Sequence, residues 1–207
     1  MAFGFFMNME KLALSISNEH IARMTNDNYW DDVFLDENKL LNNIENGFVI
    51  ITQLSCYIES FLNTILNSCI GYDGEPLLKC SIEEKIEIIY MHYNKSFSDV
   101  KSQNAWNLFK RTTSVRNSMI HFKKTYIGMG SGVPNFKLGK ENVAEFFTQE
   151  NMRSVINEHI KLAHLIADSL GLHICEQIDV FECDGRDGLV NYVYSKETTL
   201  IDESRFE

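Results

Sequence analysis

No stretch of this sequence reaches the roughly 20 apolar residues that a helix needs to cross a bilayer. Its apolar start, Met1 to Met9, is too short for a secretory leader and has no basic segment before it. The expectation is a cytoplasmic protein with no membrane partner. The cysteines Cys56, Cys69, Cys80, Cys175 and Cys183 are odd in number and form no CxxC pair. That pattern argues against a disulfide framework and fits a reducing compartment. HExxH is absent, and Gly128 to Pro134 lacks the Gly-Lys-Ser/Thr of a phosphate loop. A closed metal site needs three or four converging ligands. No metal and no cofactor are expected.

A further absence is local. From Val100 to Lys140 there is no Asp or Glu, while eight bases fall there: Lys101, Lys110, Arg111, Arg116, Lys123, Lys124, Lys137 and Lys140. The other 11 Lys and Arg share the rest of the chain with all 29 acids, a balance of −18 there, and the whole chain carries a net charge of −10. Such a balance argues against non-specific coating of nucleic acid. It permits a local basic groove, because exposed fields are screened within about 8–10 Å. An acidic chain that gathers its positive charge in one place has the footprint of a phosphate-bearing partner.

What is present reads as helix. The composition, 44% hydrophobic and 23% charged, is that of a globular protein. Apolar residues at intervals of three and four predict helices over Met7 to Met24, Leu40 to Ile70, from Ser81 onward, about Ser102 to Lys124, and Thr148 to Leu170. Ser81-Ile82-Glu83-Glu84 has the capping-box pattern, and Gly171 follows the last helix as a C′ residue. Asn26 to Asn38 reads as loop, and Gly128 to Pro134 as a break in all regular structure. Asp179 to Cys183 and Leu189 to Tyr194 flank Asp184-Gly185-Arg186-Asp187-Gly188 in the manner of a β-hairpin. The fold class is all-α, an up-down bundle of four or five helices with a short C-terminal extension. Its parts are residues 1–39, an N-terminal helix and loop; 40–171, the bundle; and 172–207, the extension.

Along the fourth helix, Trp106, Phe109, Thr113, Asn117 and Ile120 track one stripe. Near its end stands Arg116-Asn117-Ser118-Met119-Ile120-His121. A guanidinium holds phosphate oxygens through parallel hydrogen bonds and stabilises charge that builds in a transition state. Imidazole titrates near neutral pH and serves as general base or acid. RNA supplies a 2′-hydroxyl that attacks the neighbouring phosphate once its proton is removed. Asn117 and His121 are four apart, so the amide can orient the ring or touch the phosphate. Arg116 and His121 are five apart, about 140° around a helix. A two-fold dimer would bring two copies of the motif across one cleft.

With this motif in this order of helices, the chain resembles the HEPN superfamily of helical-bundle RNases. Their motif is an Arg, a polar residue such as Asn, and a His a few positions on. The resemblance covers Leu40 to Leu170 and includes Glu59-Ser60-Phe61-Leu62-Asn63 and Ser81 to Ile86. It implies a metal-independent endoribonuclease that acts as a homodimer on RNA and leaves a cyclic phosphate. It also implies a toxin, phage-defence or RNA-processing role, with an antitoxin or defence-system protein as partner. One branch of the family has a modified Tyr two residues after the motif His. Lys123 stands there in this chain, a departure from that branch. The catalytic candidates are Arg116, Asn117 and His121, with Lys110, Arg111, Lys123 and Lys124 as RNA contacts.

Each reading has a plainer rival. Arg116 and His121 can be surface residues near a helix end. A HEPN-like bundle can lack catalysis and only bind RNA or a protein. Glu59 either orients the motif or is a solvated charge. His159 and His164, with Glu158 and Asp168, read as helix-surface residues. Tyr126, Phe136, Lys137 and Lys140 either add stacking and phosphate contacts beside the motif or belong to an ordinary loop.

Overall fold

The computed structural model of the protein describes residues 9–25, 30–31, 34–66, 70, 77, 79–121, 126–130, 133–138, 140–177 and 197–202. These residues are mostly helical. In chain order the elements are α1 (Met9–Arg23), β1 (Trp30–Asp31), β2 (Phe34–Leu35), α2 (Glu37–Thr64), α3 (Ile82–His92), α4 (Ser98–Lys101) and α5 (Asn104–Ile120). There follow β3 (Tyr126–Gly130), β4 (Val133–Leu138), β5 (Glu141–Asn142), α6 (Val143–Phe146), α7 (Gln149–Leu170), β6 (Leu172–Gln177) and β7 (Glu197–Asp202). The chain divides into two compact units. One takes residues up to Ser60 together with Ser98–Leu162, and the other takes Phe61–Phe97 and everything from Ala163.

In the first unit, Asp36 starts the long helix α2. Its carboxylate accepts the Lys39 N–H at 3.1 Å and its carbonyl accepts the Leu40 N–H at 3.1 Å, an N-cap arrangement. The Lys39 N–H bond holds the Asp36 carboxyl below its ordinary range. The core of this unit joins Ile50, Ile51 and Leu54 of α2 to Leu108 and Val115 of α5 and to Met152, Val155 and Ile156 of α7. Phe146 and Phe147 complete it, their rings edge-on with centroids 5.1 Å apart. Burying each such side chain contributes about 1.5–3 kcal/mol. Phe147 approaches α2 so closely that a Cβ on Gly47 would lie 2.3 Å from its Cδ1. Glycine at that position is what allows the ring to pack.

Polar side chains finish the end of α1. Asn43, fully buried, accepts from the Thr25 N–H at 2.8 Å and donates to the Thr25 carbonyl at 3.2 Å. Gln149 donates to the Ile21 carbonyl at 3.1 Å and the Met24 carbonyl at 3.3 Å, so carbonyls at the helix end keep partners.

In the second unit, α3 begins with the capping box read from sequence. Glu84 N–H donates to Ser81 Oγ at 3.3 Å, and Ser81 N–H donates to Glu84 Oε2 at 2.7 Å. Tyr90 hydroxyl and Ser169 Oγ are hydrogen bonded, and Lys95 Nζ donates to the Ser169 carbonyl at 2.8 Å. The last helix ends at Gly171, whose φ of +76° is a left-handed C′ conformation.

Several elements differ from the sequence expectation. The break expected at Gly128 to Pro134 is an antiparallel ladder, with Tyr126 opposite Lys137 and Gly130 opposite Val133. Pro134 is tolerated because it is the second residue of β4, where among the described residues β3 pairs with it and β5 does not reach, its pairing being confined to Lys137 and Leu138. The expected loop at 26–38 contains the short pair β1–β2, and α2 already begins at Glu37. Toward Ile70 the α-helical pattern gives way to a wider turn, in which Ile70 N–H reaches the Ile65 carbonyl, five residues back, at 3.1 Å. The expected hairpin at 179–194 lies outside the described residues. β6 and β7, on either side of it in sequence, pair antiparallel from Leu172 opposite Asp202 to Gln177 opposite Glu197.

Helix α5 spans Asn104–Ile120, shorter than the expected 102–124. His121 is its capping residue, and its N–H points back to the Asn117 and Met119 carbonyls. The buried face keeps Trp106 and Phe109 of the expected stripe and departs from it toward the end of the helix. Leu108, Thr112 and Val115 are buried, while Asn117 and Ile120 are exposed. Burial follows the 3.6-residue turn through 108, 112 and 115, and that turn carries Asn117 to the opposite side.

Candidate nucleic-acid interface

The first half of α5 is clamped. Trp106 and Phe109 pack with ring centroids 5.3 Å apart, and Phe109 meets the His159 ring edge-on at 5.8 Å. His159 was expected on the surface, yet it is fully buried. The stripe Val155, Ile156, Leu162 and Ala163 faces the core, and residue 159 lies on that face. Its Nδ1–H donates to the Val155 carbonyl at 2.7 Å, and Nε2 lies 3.2 Å from the Thr112 hydroxyl. Burial pushes its pKa down to about 4, against a smaller opposing effect of the Val155 bond. This imidazole is neutral at pH 7 and ties α7 to α5.

Arg111 is also engaged. Its Nε donates to Glu141 Oε1 at 2.9 Å and Nη2 to Oε2 at 2.7 Å, a two-pronged pair with β5. The hydrogen bonds from Arg111 hold the Glu141 carboxyl below its usual range, and the same bonds raise the Arg111 pKa. Lys110 is exposed, with Nζ 5.8 Å from the centre of the Trp106 ring.

The far end of α5 is different. Arg116 is half-buried and its Nη1 donates to Asn117 Oδ1 at 3.3 Å. Its Nε–H is shielded from solvent, and among the described residues it has no acceptor and no carboxylate pairs with the guanidinium. Leaving a buried charged donor unsatisfied costs about 1–3 kcal/mol or more. Asn117 and His121 are exposed. The His121 ring has no hydrogen-bond partner among the described residues, and only its backbone N–H is used, on the helix carbonyls. Cationic groups at a helix C-terminus sit at the negative end of its dipole. A cation with no carboxylate partner among the described residues, an amide and a solvent-facing imidazole therefore share one helix end.

Of the remaining candidates, Glu59 is half-buried on α2, and Lys137 and Lys140 are exposed on and beside β4. Lys123 and Lys124 lie outside the described residues. His164 and Asp168 are exposed on α7 as expected, and Glu158 is half-buried beside Lys161, at 3.7 Å. Among the described residues no cluster of three or more His, Cys, Asp or Glu is placed to hold a metal. No helix among them is long and apolar enough to cross a membrane.

No protein-family model matches this chain, nor does any curated protein or solved structure. Two residues that shape the site were not singled out from sequence. Glu141 had a signal, as the first acid after the acid-free stretch, one residue past Lys140. Thr112 had none of its own, because its role depends on which ring the fold brings opposite it.

Proposed function

We propose that this chain is a metal-independent endoribonuclease of the HEPN type, a HEPN-like bundle acting as a homodimer in a cytoplasmic toxin or phage-defence role. The observation that carries this reading is the C-terminal end of α5. There Arg116 holds its charge with no carboxylate partner among the described residues, bonded to Asn117 and close in sequence to the exposed His121. In this reading one His121 removes the proton of a ribose 2′-hydroxyl. The freed O2′ attacks the adjacent phosphorus, and the bond from phosphorus to the 5′-oxygen breaks. The second His121 of the dimer protonates that leaving oxygen. Arg116 neutralises the charge that accumulates on the phosphoryl oxygens, and Asn117 steadies the guanidinium. The products are a 2′,3′-cyclic phosphate and a 5′-hydroxyl. An antitoxin or defence-system protein would act by covering this helix end.

The test is incubation of the purified protein with single-stranded and transfer RNAs in excess EDTA, beside an Arg116→Ala/His121→Ala variant. Cyclic phosphate ends produced by the wild type alone support the reading. Equal cleavage by both proteins, or none by folded wild type, overturns it.

A further inference from the structure

The solvent side of α5 carries an ordered row. Each helical residue turns by 100°, so positions 110, 114, 117 and 121 fall within about 60° of one another. Lys110, Ser114, Asn117 and His121 are all exposed, while Leu108, Thr112 and Val115 on the opposite side are buried. From Lys110 to His121 the row rises about 16 Å. Beside it lies the β3–β4–β5 hairpin. Strand β4 is in contact with α5, and Leu138 at its end packs on the core. The neighbouring Lys137 and Lys140 are exposed. Arg111 grips Glu141 from α5, so the strand pair is strapped to the helix and Glu141 is already neutralised. No other carboxylate occurs anywhere on α5, β3 or β4.

We propose that this row, together with Lys137 and Lys140, is a track for the sugar–phosphate backbone of single-stranded RNA, leading it to Arg116 and His121. This rests on the endoribonuclease reading of the same helix end. Lys110, Lys137 and Lys140 touch phosphates, Ser114 and Asn117 offer hydrogen bonds along the path, and Arg111 serves as a positioning residue that contacts Glu141 rather than RNA. A single row of hydrogen-bonding groups that starts at Lys110 and is flanked by Lys137 and Lys140 fits one strand. A duplex is held instead by contacts that cross successive grooves.

The test measures binding and not cleavage. The probe is a fluorescein-labelled 2′-O-methyl oligouridine, which lacks the attacking hydroxyl. Its affinity is read by anisotropy between about 50 and 200 mM KCl, for the wild type, for Lys110→Ala/Lys137→Ala/Lys140→Ala, and for a control of equal charge change, Lys79→Ala/Arg153→Ala/Lys161→Ala. Each lost phosphate contact lowers the slope of log affinity against log salt by about 0.7 on a single strand. The wild type should therefore lose about twenty-fold more affinity than the track variant over that range. The control should behave as the wild type, and all three should melt at the same temperature. Equal slopes for wild type and track variant, equal losses in track variant and control, or tighter binding of the matching duplex would each overturn the proposal. Binding along the track by a wild type that cleaves no RNA would sink the nuclease reading and leave the track standing. Cleavage with an unchanged salt slope in the track variant would do the reverse.

Discussion

Arg111 and Arg116 lie five residues apart on α5, yet one is paired with a carboxylate and the other, among the described residues, is not. Arg111 forks onto Glu141 through two hydrogen bonds, while among the described residues Arg116 reaches the amide of its neighbour Asn117 and no carboxylate. The histidines divide in the same way. His159 is sealed against Phe109 and Thr112 in the packed half of the helix, and His121 is open to water at the other end. The same residue types thus serve structure in one half of the helix and are left available in the other. Availability, more than residue identity, is what singles out the end of α5 for the proposed chemistry.

The largest effect expected from breaking this contrast is on cleavage. His121→Ala should lower the rate of RNA cleavage by about 10²–10⁴-fold, the usual contribution of a general acid or base. Arg116→Ala should cost about 10²–10³-fold, and Arg116→Lys should recover little of it, because an ammonium cannot present two parallel donors. Stability should stay within about 0.5 kcal/mol for His121→Ala, since the ring is exposed. Single-turnover rates beside urea titrations separate the two quantities. A variant that loses activity only in step with stability would count against the assignment.

The buried histidine should report through stability. The unfolded His159 titrates near pH 6.5 and the folded one near 4. Between those values the unfolded chain binds more protons, so stability rises with pH. Its full benefit is present above about pH 6.5, and about 3 kcal/mol is withdrawn as the pH falls to about 4. Urea midpoints of the wild type and His159→Gln should diverge over this window. Parallel pH profiles for the two proteins would show that His159 does not titrate as its burial requires.

A smaller contrast runs across the width of the helix. Thr112→Val leaves a buried ring nitrogen of His159 without its hydroxyl partner and should cost about 1–3 kcal/mol. Ser114→Ala, two residues on and exposed, should stay within about 0.5 kcal/mol. Thermal melts that rank the two variants the other way would mean that the buried and open faces of α5 have been exchanged.

Much of the helical framework could be read from sequence, and the limits are physical. The Ser81–Glu84 capping box and the Gly171 C′ position are local hydrogen-bond patterns, and they appear where their residues predict. The helical class follows from apolar spacing in the same way. Which face of α5 turns inward is legible only in part: Trp106 and Phe109 of the expected stripe are buried, but packing adds Leu108, Thr112 and Val115 and leaves Asn117 and Ile120 exposed. The β3–β4 ladder was missed because three glycines and a proline outweigh the strand signal of Tyr126-Ile127 and Phe136 when no partner strand is in view. Arg116, Asn117 and His121 were singled out by residue type and spacing. Their separation from the engaged pair, Arg111 and His159, depends on Glu141 and Thr112, which only the fold brings near.

The smallest expected effect belongs to the strap itself. Arg111 is 53% exposed at the side chain and Glu141 20%, so water screens the pair despite its two-pronged geometry. Glu141→Gln should therefore cost no more than about 1 kcal/mol. The loss should shrink as salt is raised, because an exposed pair is screened within about 8–10 Å. The Glu141 carboxyl is held below its usual range chiefly by the hydrogen bonds from Arg111, so its contribution is present at neutral pH and fades as acid protonates it. Melting wild type and variant at low and high salt measures this. If the gap between them is instead large and independent of salt, the pair belongs to the packed half of the helix in energy as well as in position. The line between the two halves would then have to be drawn closer to Arg116.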